Sequence, residues 1–147
     1  MKKTILAAMG GVAIFLSAAS PAFAQQSAMK DGAYWGTSRI DVEDGQMQNY
    51  LDFLAKTWVP NQEFAKSQGW ISDYFILDNI NARDGEPDLI LITKFTDIPS
   101  VAEGERRNAI MNERMKLDDH SADTASGMRG KMRRLAGSIL YRELTKR

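Results

Sequence analysis

The sequence predicts an α+β domain in which a four-stranded antiparallel sheet is covered by helices. Two observations carry this. Four runs read as strands, the first by apolar alternation, the second and third as short apolar stretches between turn residues, and the segments between them carry apolar residues near helical spacing. The runs also follow the order strand, helix, strand, strand, helix, strand, with Gly, Pro, Asn and Asp at the joins. Length agrees: the chain has 147 residues, and without a leader of residues 1–24 it retains 123, enough for one domain.

Residues 33–43 read as the first strand, because Tyr34, Ser38, Ile40 and Val42 alternate with Trp35, Thr37, Arg39 and Asp41. Asp44 and Gly45 end it. From Gln46 the period becomes helical, with Tyr50, Leu51, Leu54 and Trp58 on one stripe widened by Met47 and Phe53. Pro60 is expected to break or kink this helix, a second short helical piece follows over 61–68, and Gly69 punctuates its end. Residues 70–77 read as the second strand, 79–88 as a hairpin loop carrying Asp84, Gly85 and Pro87, and 89–95 as the third strand. A helix is expected over 99–116. A helix-compatible stretch over 120–136 is interrupted by Gly127 and Gly130, with Met128, Met132 and Leu135 as its core face. The last strand is expected over 138–144. The order matches the ferredoxin-like split βαβ (βαββαβ) arrangement.

The second and third strands are apolar on both faces. Ile71, Phe75, Leu77, Ile90 and Ile92 fall opposite Trp70, Tyr74, Ile76, Leu89, Leu91 and Phe95. A lone sheet covered by helices on one side should keep its other face polar. A second copy of the same sheet is the simplest cover, so the expectation is a homodimer joined through its sheet faces.

Composition excludes much chemistry. The chain has no Cys, which rules out disulfides, thiol nucleophiles and Cys-ligated metals, and a single His, which rules out a multi-histidine metal site. Its 19 Lys+Arg balance 19 Asp+Glu, a poor electrostatic match for nucleic acid. The start of the chain reads as a bacterial secretory signal. Lys2 and Lys3 precede an apolar run over 5–19, and Ala22-Phe23-Ala24 fits cleavage before Gln25. The mature chain is then periplasmic or secreted, free of the membrane after cleavage, with residues 25–32 a flexible lead-in to the domain over 33–147. No phosphate-cradling glycine loop or dinucleotide fingerprint is present, so no cofactor is assigned.

Arg39-Ile40-Asp41-Val42, Tyr50-Leu51-Asp52-Phe53-Leu54, Pro87-Asp88-Leu89 and Tyr141-Arg142-Glu143-Leu144 give the chain a resemblance to the dimeric α+β barrel superfamily from Trp35 to about Leu144. That ferredoxin-like group includes antibiotic-biosynthesis-type monooxygenases, heme-degrading monooxygenases and muconolactone isomerases, and the chain is similar to an uncharacterised secreted bacterial branch of it. The resemblance implies a dimeric barrel and a ligand site between helices and sheet or inside the barrel. It carries over no catalytic residue.

Trp35, Arg39, Trp58, Trp70, Tyr74 and Tyr141 are the ligand-pocket candidates, since aromatic side chains near a guanidinium suit a planar apolar ligand bearing a carboxylate. The same residues would also serve core and interface packing. His120 is a weak candidate for a heme or metal ligand. Its neighbours Asp118, Asp119 and Asp123 could orient a ring or hold calcium loosely, but they lack EF-hand spacing, and a polar surface run is the plainer account. Lys131, Arg133, Arg134 and Arg129 read as a solvated helical face, and Met111, Met115, Met128 and Met132 as adaptable core filler. Three functions follow: an exported homodimer binding a small apolar or aromatic ligand, a cofactor-independent monooxygenase or isomerase in the same cavity, and a heme binder through His120.

Overall fold

The computed structural model describes residues 26–147; the expected secretory signal and its expected cleavage site lie outside the described residues. The elements are β1 (Met29–Val42), α1 (Met47–Phe53), a π-helical segment (Leu54–Trp58), α2 (Val59–Ser67), β2 (Asp73–Asp78), β3 (Leu89–Phe95), α3 (Val101–Met115), α4 (Asp119–Arg129) and β4 (Arg133–Lys146). The four strands form one sheet in the order β2-β3-β1-β4, and every neighbouring pair is antiparallel. This α+β architecture is compatible with a ferredoxin-like fold.

Register settles the faces. Ser38 lies opposite Leu91 and Ile40 opposite Leu89, with Ile76 across from Leu91 on the far side. These residues face the helices. Thr37 lies opposite Ile92, Arg39 opposite Ile90, and Phe75 and Leu77 oppose Ile92 and Ile90 from β2, all on the outer face. The outer face therefore carries Trp35, Phe75, Leu77, Ile90 and Ile92, joined on β4 by Ile139 and Tyr141. Within β2 and β3 the two expected apolar sets fall on opposite faces, while Trp70 and Ile71, counted with them, precede β2.

β1 begins at Met29, inside the segment expected to be a flexible lead-in. Its first residues pair with the end of β4, Met29 with Lys146 and Asp31 with Leu144, and an ion pair joins Arg142 to Asp31 at 2.6 Å. Backbone pairing here supplies order that a polar composition did not advertise.

The helical stretch before β2 differs from expectation at Pro60. The path continues through it, because the backbone widens first: the Val59 N–H donates to the carbonyl of Leu54, five residues back. Pro60 then falls in the first turn of α2, where its missing N–H leaves no helical bond unmade. The end of α2 explains a second difference. The Gly69 N–H donates to Lys66 O and the Trp70 N–H to Ala65 O, each at 3.0 Å, a Schellman closure with Gly69 at φ +69°. Trp70 belongs to this cap and packs edge-on against Phe64, so β2 starts at Asp73 and not at residue 70. Gly69→Ala meets no atom within 4 Å of its new Cβ, leaving left-handed strain as its cost. Urea unfolding should show a loss of about 1 kcal/mol.

α3 starts at Ser100, whose hydroxyl accepts from the Glu103 N–H at 3.3 Å. Hydrogen bonds from Arg106 and then Arg107 hold the Glu103 carboxyl down to about 2. The folded value lies below the ordinary 4.5, so whatever the cluster contributes is present above pH 4.5 and lost as pH falls through about 2. The cluster is half-buried and open to solvent on its Arg106 side, which keeps the contribution small. Glu103→Gln should flatten the fall in melting temperature across that window and leave melting at pH 7 nearly unchanged.

The largest departure follows α4. The expected helix over 120–136 stops at Arg129, and β4 runs from Arg133, five residues earlier than expected. Val42 pairs with Arg133, Asp41 with Arg134 and Ile40 with Leu135, before a bulge ahead of Gly137. The supposed basic helical face is therefore divided. Arg134 turns outward to an ion pair with Asp41, while Arg133 turns inward under the helices.

The core is small. Ile40, Tyr50, Leu54 and Leu89 are each 1% exposed, and Val42, Met47, Phe53, Trp58 and Met132 pack round them. Neither α3 nor α4 buries a residue fully. Among the described residues no helix is long and apolar enough to cross a membrane.

Candidate functional site

The loose seating of α3 and α4 leaves an open cleft of about 1070 Å³ between the helices and the inner sheet face. β1 contributes Ser38 and Ile40, β3 Leu91, and β4 Arg133 and Leu135. Tyr50 and Phe53 enter from α1, Trp58 from the π-helical segment, and Asn61 from α2. Arg114 and Met115 come from the end of α3, and Met128 and Arg129 from the end of α4. Asn61 Nδ2 donates to Met115 Sδ at 3.2 Å, tying α2 to α3. The volume reaches the upper end of the range of small-molecule sites, about 300–1,000 Å³.

The polar side chains of the cleft are unevenly charged. Lys56, Arg114, Arg129 and Arg133 line it, and no carboxylate does. Arg114 lies over the Phe64 ring at 4.6 Å and Arg129 over the Phe53 ring at 5.6 Å. Burial raises the Tyr50 phenol above its ordinary value, against the pull of the neighbouring Arg133 guanidinium. The phenol therefore stays protonated at neutral pH and can donate.

The six residues singled out by sequence are not brought together. Trp58 lines the inner cleft. Tyr74 packs edge-on against it at 5.5 Å and donates to Glu63, a hydrogen bond that raises its phenol. Trp70 belongs to the α2 cap, with Arg106 and Arg107 over its ring. Trp35, Arg39 and Tyr141 lie on the opposite side of the sheet, in an outer hollow of about 820 Å³ shared with Leu77, Ile90, Ile92 and Ile139. There Trp35 stacks on Phe75 at 5.8 Å, and Arg39 donates to the carbonyl of Gly85 at 3.0 Å. Glu143 pairs with Lys94 at 3.2 Å.

His120 lies exposed in the first turn of α4, outside the lining of either hollow. Asp118 beside it caps that helix: its carboxylate accepts from the Ser121 N–H at 2.7 Å, which lowers its pKa, and the Ser121 hydroxyl accepts from the Asp118 N–H at 2.9 Å. No cluster of three His, Cys, Asp or Glu suited to a metal ion occurs among the described residues.

Sequence reasoning missed Arg133 and Arg129 as cleft residues. The signal was there for Arg133: from that position β4 alternates, and Leu135 and Arg133 share a face. Two helix-permissive residues, Lys131 and Met132, masked the change of period.

Fold and site together define a class: an α+β domain with one open, cationic, largely apolar cleft under its helices and a second apolar surface on the outer sheet face. The chain matches no family model, no curated protein and no solved structure.

Proposed function

We propose that the mature chain is an exported homodimer, periplasmic or secreted, that binds a small apolar or aromatic ligand between its sheet and helices. The observation that carries this reading is the inner cleft, which combines ligand-sized volume with aromatic, methionine and aliphatic walls and a few converging polar groups. The outer face supports the dimer, and with it a ferredoxin-like dimeric α+β barrel. Leu77 is 48% and Tyr141 52% exposed there, beside Trp35, Ile92 and Ile139, an apolar surface that a single subunit leaves wet. At its edges Lys94 pairs with Glu143 and Arg134 with Asp41, so these charges are matched within the subunit and leave the apolar surface free to meet its own copy across a two-fold axis.

Native mass spectrometry of the protein isolated from the producing cell's envelope and medium tests both parts. The expected spectrum is a dimer retaining a small organic molecule that leaves on mild activation. A monomer at micromolar concentration would remove the sheet-to-sheet dimer. Failure to retain or take up any apolar molecule would remove the ligand reading.

A further inference from the structure

Resting on the reading of the inner cleft as a ligand site, we infer that its occupant is an amphiphilic monocarboxylate, with the carboxylate seated on Arg133 beside the Tyr50 hydroxyl and the apolar body lying along Met115, Met128 and Leu135.

The argument starts from which arginines have partners. Arg83, Arg106, Arg107, Arg134 and Arg142 each form an ion pair with a carboxylate. Arg114, Arg129 and Arg133 form none among the described residues, and all three line the cleft. The fourth cation of the lining, Lys56, is already paired with Asp52 at 2.6 Å. A cavity with three unpaired guanidiniums and no acidic residue has a positive potential, which a low-dielectric wall strengthens.

The three are not equivalent. Arg114 and Arg129 are stacked over Phe64 and Phe53, at the ends of α3 and α4, where they favour entry of an anion without being free to enclose it. Arg133 rises from the sheet. Its Nε is buried and has no hydrogen-bond partner among the described residues, an uncommon state for a charged donor. The Tyr50 side chain beside it is 1% exposed. A guanidinium edge and a neutral phenol side by side offer the convergent donors that one planar carboxylate accepts. Arg114 and Arg129 are held over their rings at the helix ends, and the wall along Leu91, Met115, Met128 and Leu135 is apolar, so an apolar body with one anionic end fits this lining best. A long polyanion would also leave charge against these side chains.

The test compares pairs of ligands that differ only in the head group. Isolated protein, freed of small molecules by extensive dialysis, is titrated with decanoate and decan-1-ol, and with 4-phenylbutyrate and 4-phenylbutan-1-ol, by isothermal calorimetry. Each carboxylate is expected to bind at least ~10-fold more tightly than its alcohol at low salt, with the preference shrinking as sodium chloride is added. The two pairs distinguish an aliphatic body from an aromatic one. Arg133→Gln is expected to weaken the preferred carboxylate at least ~10-fold and to leave its alcohol within about twofold. Arg133→Lys, which keeps the charge and loses the planar fork, should fall between, and it serves if the glutamine variant does not fold. Arg83→Gln, at a paired surface arginine, should bind like the parent. Equal binding of acid and alcohol would overturn the carboxylate while leaving the cleft as an apolar ligand site. Binding of neither would remove the ligand reading and the carboxylate together. A carboxylate preference that survives in both Arg133 variants would overturn the assignment of the anchor.

Discussion

Leu77→Lys is expected to turn the proposed dimer into a folded monomer. Leu77 projects from β2 on the outer face, opposite Ile90, and is 48% exposed in the single subunit. A lysine there can lay its stem on the neighbouring aliphatic surface and keep its ammonium in water, so the subunit should fold almost as well as before. In a sheet-to-sheet dimer the same position is covered. A two-fold axis would place two ammonium groups in an apolar interface with no carboxylate introduced to meet them. Dimerisation should weaken at least ~100-fold, about 2.7 kcal/mol. Sedimentation velocity across a concentration series reads the association, and far-ultraviolet circular dichroism shows that the fold is retained. A variant that dimerises as tightly as the parent would place the interface elsewhere.

That prediction rests on the part of the fold most legible in the sequence. Alternation on the second half of β1, and the parity of positions along the nearly continuous apolar run Leu89–Phe95, sorted the side chains into the two sets that the register then places on opposite faces, because a strand has only two faces. Elements whose ends depend on tertiary bonds were harder to read. Trp70 has the composition of a strand residue, yet Gly69 turns the chain so that the Trp70 N–H closes α2. Pro60 signals a break, yet a wider π turn one residue earlier admits it. Arg133 and Arg134 resemble their helical neighbours, yet pairing with Val42 and Asp41 takes them into the sheet. In each case local preference was weak and a backbone hydrogen bond outside the regular helical pattern decided the outcome: two local ones, from Trp70 to Ala65 and from Val59 to Leu54, and for Arg133 and Arg134 the pairing with a distant strand.

The site was less legible than the fold for the same reason. Aromatic residues announce themselves by type, but nothing in the sequence tells which side of the sheet they share until the register is known. Trp35, Arg39 and Tyr141 are neighbours on the outer face, and Trp58 lies on the inner one. The inner cleft depends on something subtler, the failure of α3 and α4 to bury any residue fully. Charged positions crowd both helices, and their apolar stripes are thin. The space under them follows from that thinness, as do the three arginines that reach into it without a carboxylate partner.

Ile40→Ala should cost a large part of the domain's stability. Ile40 is 1% exposed at the centre of the inner face, between Leu89 on β3 and Leu135 on β4, and it packs with Tyr50, Leu54 and Leu91 in a core that has few other fully buried side chains. Truncation removes buried methyl and methylene groups and leaves a cavity that two hydrogen-bonded neighbouring strands cannot close, a loss of about 3 kcal/mol. Against a total of about 5–15 kcal/mol for a domain of ordinary stability, with no disulfide to limit the unfolded chain, that is a large fraction. Ile40→Val should lose only about 1 kcal/mol. Urea unfolding of the two variants beside the parent reads the difference. Ile40 also borders the cleft, so the same truncation widens the space beneath Tyr50. A loss for Ile40→Ala no greater than for Ile40→Val would mean that the helices settle onto the sheet to fill the vacancy, and therefore that the cleft can close without a ligand.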